Sequence, residues 1–273
     1  MSKVEVHYGA TTDVGRVRQV NEDSYLASPP VFVVADGMGG HSGGDVASRI
    51  VIEEFAALVD SQHDARAGAA AVAELLERAQ SRINQYGIEK RLSGADKWYA
   101  GTTAVVGLLV DDDGAPKWLL ANLGDSRIYR FSEGTLEQVS VDHSVVQELV
   151  DAGTITTDEM ATHPERHVVT RALGGPDDTE ADYFLLPLMA VERLLLCSDG
   201  INGMIDDATI AGILGEVEDP RDAADRLVAA AVEAGGRDNA TAVVVDVVGL
   251  LTDDAFDSAP LRVSLEHKLG ALP

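Results

Sequence analysis

The chain has 273 residues, 45% of them hydrophobic, and a formal net charge of −25. That is enough apolar material for one large domain with a full core, or two small ones, while so negative a balance disfavours nucleic acid and anionic membrane, both of which need basic patches. The one cysteine, Cys197, excludes a disulfide framework and a multi-cysteine metal site and fits a reducing compartment.

MSKVEVHYG at the start lacks a signal-peptide core, and no apolar run approaches the ~18 residues of a membrane span. A soluble cytoplasmic protein is expected. Val4–Tyr8 reads as a strand, and the polar stretch through Asn21-Glu22-Asp23 leads into a short run, Ser24–Ala27. Val31–Ala35 is a buried strand that ends on Asp36 and passes into a run rich in glycine. Helical spacing then links Ala47, Val51, Phe55 and Leu58, and again Val72, Leu75, Ala79, Ile83 and Tyr86. Thr102–Val110 and Lys117–Asn122 are strands joined by a hairpin turn at Asp111–Gly114, and Arg127–Phe131 follows as a third. From about Asp151 to Asp178 the chain is polar and without clear periodicity, a candidate binding loop. Tyr183–Leu186 and Arg193–Cys197 are strands, Pro220–Ala234 a helix with proline near its first position, and Thr241–Val248 the last strand. No repeat or linker divides residues 1–250, and 251–273 reads as a tail of little structure.

Asp36 poses a question of charge. A strand, a glycine-rich turn and a helix suggest a dinucleotide cradle. However, Ser42 stands where the last glycine of that fingerprint belongs, and the carboxylate of Asp36 would repel a pyrophosphate. Aspartates recur at the edges of apolar runs: Asp23, Asp36, Asp125, Asp199 and Asp238. Any one of them is explained by the liking of Asp and Gly for turns. As a set they predict carboxylates gathered at adjacent strand ends of a sheet, where without a cation they would repel and take up protons. Oxygen ligands with no cysteine and no histidine pair select hard ions: magnesium, manganese or calcium. Glycine beside Asp36 would let a backbone carbonyl approach such an ion.

The stretches GRVRQVNEDS (15–24), VVADGMGGH (33–41), AGTTAVV (100–106), ANLGDSRIYR (121–130), VDHSVVQELVDAGTIT (141–156), VTRALGG (169–175), LLLCSDG (194–200) and GGRDNATAVVV (235–245) occur in this order. Together they resemble the metal-dependent protein phosphatases of the phosphatase 2C (PPM) family in their bacterial form. The resemblance implies an α+β fold, a four-layer α/β/β/α sandwich with two central antiparallel sheets and flanking helix pairs. It implies a catalytic domain over residues 1–250, with a mobile flap at about 145–175. It also implies two Mn²⁺ or Mg²⁺ ions bridged by Asp36, one held by the Gly37 carbonyl and the other by Asp199 and Asp238. Asp125, with Asp199, matches the site of a third, weaker metal; Glu22 and Asp23 would orient metal-bound waters, and Arg18 would grip the substrate phosphate. The implied reaction is hydrolysis of phosphoserine or phosphothreonine in proteins by direct attack of a metal-bridging hydroxide, with no phosphoenzyme. The implied partners are substrates of a bacterial serine/threonine kinase, met by a monomeric enzyme.

Arg16 reads as a surface charge. Met38 stands where animal members carry a histidine thought to protonate the leaving group, which leaves His41 or a metal-bound water for that task. Cysteine phosphatase chemistry is excluded because Gly203, not arginine, lies six residues after Cys197. His163 and His167 have zinc-pair spacing, but Pro164 interrupts a helix between them. A chain that kept the fold only as a binding module would be betrayed by missing metal ligands; Asp36, Gly37, Asp199 and Asp238 are all present.

Overall fold

The structure, a computed structural model, describes residues 3–39, 43–94, 99–175, 180–188 and 191–251; His41 and the expected tail beyond Leu251 lie outside them. Twelve strands are found among the described residues: β1 (Lys3–Asp13), β2 (Ser24–Ser28), β3 (Val31–Ala35), β4 (Gly37–Met38), β5 (Gly101–Thr102), β6 (Ala104–Asp112), β7 (Ala115–Leu123), β8 (Arg127–Ser132), β9 (Thr135–Gln138), β10 (Asp182–Pro187), β11 (Arg193–Cys197) and β12 (Ala240–Leu251). The helices are α1 (Gly44–Phe55), α2 (Ala65–Leu92), α3 (Val145–Asp151), α4 (Thr157–Met160), α5 (Asp199–Asn202), α6 (Asp207–Glu216) and α7 (Pro220–Glu233). Two five-stranded sheets, ordered β1-β12-β11-β8-β9 and β10-β7-β6-β3-β2, are antiparallel throughout, and β4 pairs with β5 beside them.

Strand alternation explains the layers. Along β3, Val31, Val33 and Ala35 face one way and pack with Val51 and Phe55 of α1 and Val72, Ala79 and Ile83 of α2. Phe32 and Val34 face the other way, into an interlayer with Trp118, Leu120, Ile128, Leu194, Leu196 and Val243. On the far sheet, Leu195, Cys197, Ala242 and Val244 turn outward to Ile210 and Leu214 of α6 and Leu227 and Val228 of α7. β3 and β11 are covered on both faces, so β3 throughout and β11 after Arg193 read as continuous apolar runs rather than alternating ones. Each fully buried Phe, Leu or Ile here stabilises by about 1.5–3 kcal/mol relative to exposure. The result is the four-layer α/β/β/α sandwich, with α1 and α2 on one side and α6 and α7 on the other.

The expected hairpin joins β6 to β7, with Asp113 at φ 54 and Gly114 at φ 83, and the Asp111 carboxylate accepts the Gly114 amide at 2.7 Å. Elsewhere the sequence reading was incomplete. α6 was not expected, because Gly212 and Gly215 dilute its apolar stripe to Ile210 and Leu214. The polar stretch from 151 contains α4, closed by a capping box between Thr156 and Glu159, and α3 precedes it under a Ser144 cap. Both stems of this segment are anchored. Thr170 N–H donates to the His143 carbonyl at 2.8 Å, and Leu173 exchanges backbone bonds with Thr102 at 2.9 and 3.0 Å.

Candidate metal centre

The carboxylates expected at the strand ends of one sheet come from both sheets. Asp36 follows β3, Asp199 follows β11, Asp238 precedes β12, Asp23 precedes β2 and Asp125 sits in the β7–β8 turn. Antiparallel connections return the chain to the same end of each layer, so the sandwich assembles what one sheet would have spread along its edge.

Asp36 is fixed through its backbone. Its N–H donates to Thr103 Oγ1 at 3.0 Å, and its carbonyl accepts from Thr103 N at 2.9 Å and Thr102 Oγ1 at 2.9 Å. Thr103 Oγ1 also lies 2.7 Å from Ser126 Oγ, which ties Asp36 to the turn carrying Asp125. Enclosure, then the charges of Asp23, Asp199, Asp125 and Asp238, raise the Asp36 carboxyl well above the ordinary range. Asp199, the first residue of α5, is raised by burial and by Asp238, against a hydrogen bond shared with Asp36. Asp125 is pushed up to about 8 by burial and by Asp199 and Asp142.

Asp23 is buried beneath them. Its Oδ2 accepts from Ser198 Oγ at 2.7 Å and Thr241 Oγ1 at 2.6 Å, while Oδ1 is buried with no hydrogen-bond partner among the described residues. Burial lifts its carboxyl to about 7, opposed by those two hydroxyls. Glu22 is raised by burial and steadied by the Gly44 amide at the start of α1, and next by Arg18. Gly37 is buried, and a side chain there would strike the carbonyls of Gly44 and Glu22, so glycine is required. Asp238 Oδ2 accepts from Arg18 at 2.7 Å, in a half-exposed pair at the mouth of the cluster.

This donor set suits a hard divalent cation. It is all oxygen, it carries more negative charge than its surroundings compensate, and it keeps one buried carboxylate oxygen unsatisfied. Among the described residues, no three acidic, histidine or cysteine side chains already stand as a closed ligand set. Asp238 is engaged by Arg18 at 2.7 Å. Asp36, Gly37, Asp199 and Asp238 are the residues that would hold two ions once that arginine gives way.

All eight expected site residues lie in this region. The sequence reading missed the groups that hold them. Asn239 is the main one: its Oδ1 accepts the Glu22 amide at 2.8 Å, and its Nδ2 donates to the carbonyls of Val14 and Val20, both at 3.0 Å. Ser198, Thr241 and Thr103 are the others. Each lies within three residues of an aspartate or across the sheet from one, and a buried hydroxyl in such a place is the only signal the sequence offers. Arg127 clamps Asp142 with three bonds of 2.7–3.1 Å behind the Asp125 turn. Cys197 is fully buried, its thiol pushed up to about 12 chiefly by burial, and takes no part. The His163 ring accepts the Glu165 amide through Nδ1 at 3.2 Å.

The sequence profile of the family described as protein phosphatase 2C matches residues 15–234. The serine/threonine protein phosphatase PstP of Mycobacterium tuberculosis is 38% identical over 253 residues, covering 89% of this chain and 45% of that protein. The serine/threonine phosphatase stp of Listeria welshimeri is 33% identical over 253 residues, covering 88% of this chain and 96% of that protein. The chain thus spans about half the length of the first and nearly all of the second. Among solved structures, the catalytic domain of PstP in complex with two manganese ions superposes with a TM-score of 0.74 at 36% identity, covering 89% of this chain and 99% of that one. No helix among the described residues is long and apolar enough to cross a membrane. With its motifs in order, its layers in place and its carboxylates at one end of the sandwich, the chain belongs to the protein phosphatase 2C family.

Proposed function

We propose that this protein is a metal-dependent serine/threonine protein phosphatase that hydrolyses phosphoserine and phosphothreonine directly, without a phosphoenzyme. The observation that carries this reading is the set of raised carboxyls at Asp36, Asp199 and Asp125, beside a half-exposed arginine. Mn²⁺ or Mg²⁺, two when bound, would supply an activated water near neutral pH and screen charge on the phosphoryl group. Asp36, the Gly37 carbonyl, Asp199 and Asp238 hold the ions, and Asp125 with Asp199 holds a third, weaker one. Glu22 and Asp23 orient water. Arg18 leaves Asp238 for the incoming phosphoryl oxygens, which its planar fork matches. Cys197, buried and inert, is not the nucleophile.

Residues 1–250 form the catalytic unit and 145–175 the flap that governs substrate entry. The substrates are phosphoproteins made by a bacterial serine/threonine kinase, met in the cytoplasm by a monomer. The test is phosphate release from a phosphothreonine peptide with and without millimolar manganese, beside Asp238→Asn. Manganese-dependent release that the variant lacks is expected. A folded wild type that releases nothing with either metal would leave a binding module in place of an enzyme.

A further inference from the structure

We propose that Arg16 and Arg237 form a subsite for acidic side chains flanking the phosphorylated residue of a peptide. This rests on the phosphatase reading and names the substrate class of that same site. Two loops build the lip of the centre, and both are fixed. Asn239 pins the 14–20 loop at both ends through the Val14 and Val20 carbonyls, and Arg16 N–H donates to the Gly236 carbonyl at 2.7 Å between those anchors. The packing is close: a side chain at Gly236 would meet Arg16 Cγ at 3.2 Å. Arg237 comes next in that second loop, and Asp238 after it holds Arg18. Arg16 and Arg237 are thus placed on neighbouring loops beside the arginine assigned to the phosphate.

Their charge is available. Arg78, Arg82, Arg127, Arg130 and Arg193 each pair with a carboxylate. Arg16 and Arg237 are exposed and form no ion pair with a described carboxylate. Acids close by in sequence have other partners: Asp238 accepts from Arg18 at 2.7 Å, Asp13 accepts the Gly15 amide at 2.7 Å, and Glu233 lies 3.9 Å from Arg226. On a chain of net charge −25, an acidic peptide meets a field that is repulsive on balance, so an attractive patch has to be local. Val17 and Val20, 65% and 59% exposed on the same loop, offer apolar contact to a peptide rather than to a free ion.

The experiment compares wild type, Arg16→Gln, Arg237→Gln and the double variant on three substrates: a phosphothreonine peptide with Asp and Glu flanks, the same peptide with Asn and Gln flanks, and p-nitrophenyl phosphate. Exposed charge pairs are weak singly, so KM for the acidic peptide should rise about threefold for each variant and about tenfold for both. kcat, and all constants for the other two substrates, should hold. Added salt should weaken wild-type binding of the acidic peptide and not that of the neutral one. Equal KM for both peptides in wild type, or equal loss on all three substrates in the double variant, overturns the subsite. Failure of wild type on p-nitrophenyl phosphate sinks the phosphatase reading instead. Fluorescence anisotropy of the labelled acidic peptide, which needs no turnover, still decides the subsite in that event.

Discussion

Replacing Asn239 with Asp tests whether the centre is held by the stitching of two loops. The change is isosteric and keeps an acceptor for the Glu22 amide, now 2.8 Å from Asn239 Oδ1. It removes both donors to Val14 and Val20 and puts a carboxylate oxygen against two carbonyls at 3.0 Å. Each lost hydrogen bond costs about 1 kcal/mol net, and more where the abandoned group stays buried. Val20 is 59% exposed, so its carbonyl has water within reach and the lower figure applies there. The total is about 2–3 kcal/mol. With a urea slope of about 3 kcal/mol per molar, the midpoint should fall by nearly 1 M. The same loop carries Arg18, so loosening it should also lower kcat/KM for a phosphopeptide by about ten- to a hundredfold. Urea unfolding followed by circular dichroism and steady-state kinetics read the two effects. A variant with the wild-type midpoint and kcat/KM would refute the reasoning, because it would show that the loops need no stitch.

Asp36→Asn should abolish manganese-dependent turnover yet raise the melting temperature in chelator at pH 8, since it removes a buried carboxyl whose ionisation burial and its acidic neighbours oppose; a lowered one in chelator contradicts the account. Asp23 and Asp125 have folded pKa values of about 7 and about 8, above the unfolded range. The folded state therefore binds more protons between about pH 4 and 8. Their contribution is fully present at the acid end and is lost as pH rises through 7–8, so chelated protein should show a lower urea midpoint at pH 8.5 than at pH 6, and a higher one would refute it. Gly200→Ala should fail to fold, because the added methyl overlaps the Asn239 carbonyl, whereas Gly212→Ala in α6 meets nothing within 4 Å. The latter should gain about 0.5–1 kcal/mol by helix propensity, read by thermal melting.

What the sequence made legible follows from where the physics is local. β3 and β11 match their expected bounds to the residue because both faces of each are buried. Pro220 and the Asp219 cap mark the start of α7 as clearly. The aspartates stood out because five strand edges carried them, yet their meeting point was misread as one sheet. Which strands pair is a long-range property, and β12 between β1 and β11 leaves no trace in any short window. β9, with the sequence TLEQ, is too polar to be seen without its partner β8. Asn239, Ser198 and Thr241 act across more than 40 residues of chain, so their part emerges only after folding.

The interlayer has a consequence for evolution. Asp36 hangs from β3 and Asp199 from β11, strands of different sheets, so their separation is gauged by the side chains stacked between: Phe32, Val34, Trp118, Leu194 and Leu196. Facing sheets stand about 10 Å apart, a spacing set by residue volume. These apolar residues are therefore the ruler of the reaction, although none carries a charge. A methylene lost from Leu196 would shift the calibration of the centre while barely denting the fold. Selection for faster or slower turnover can thus write its changes in oil, far from any carboxylate.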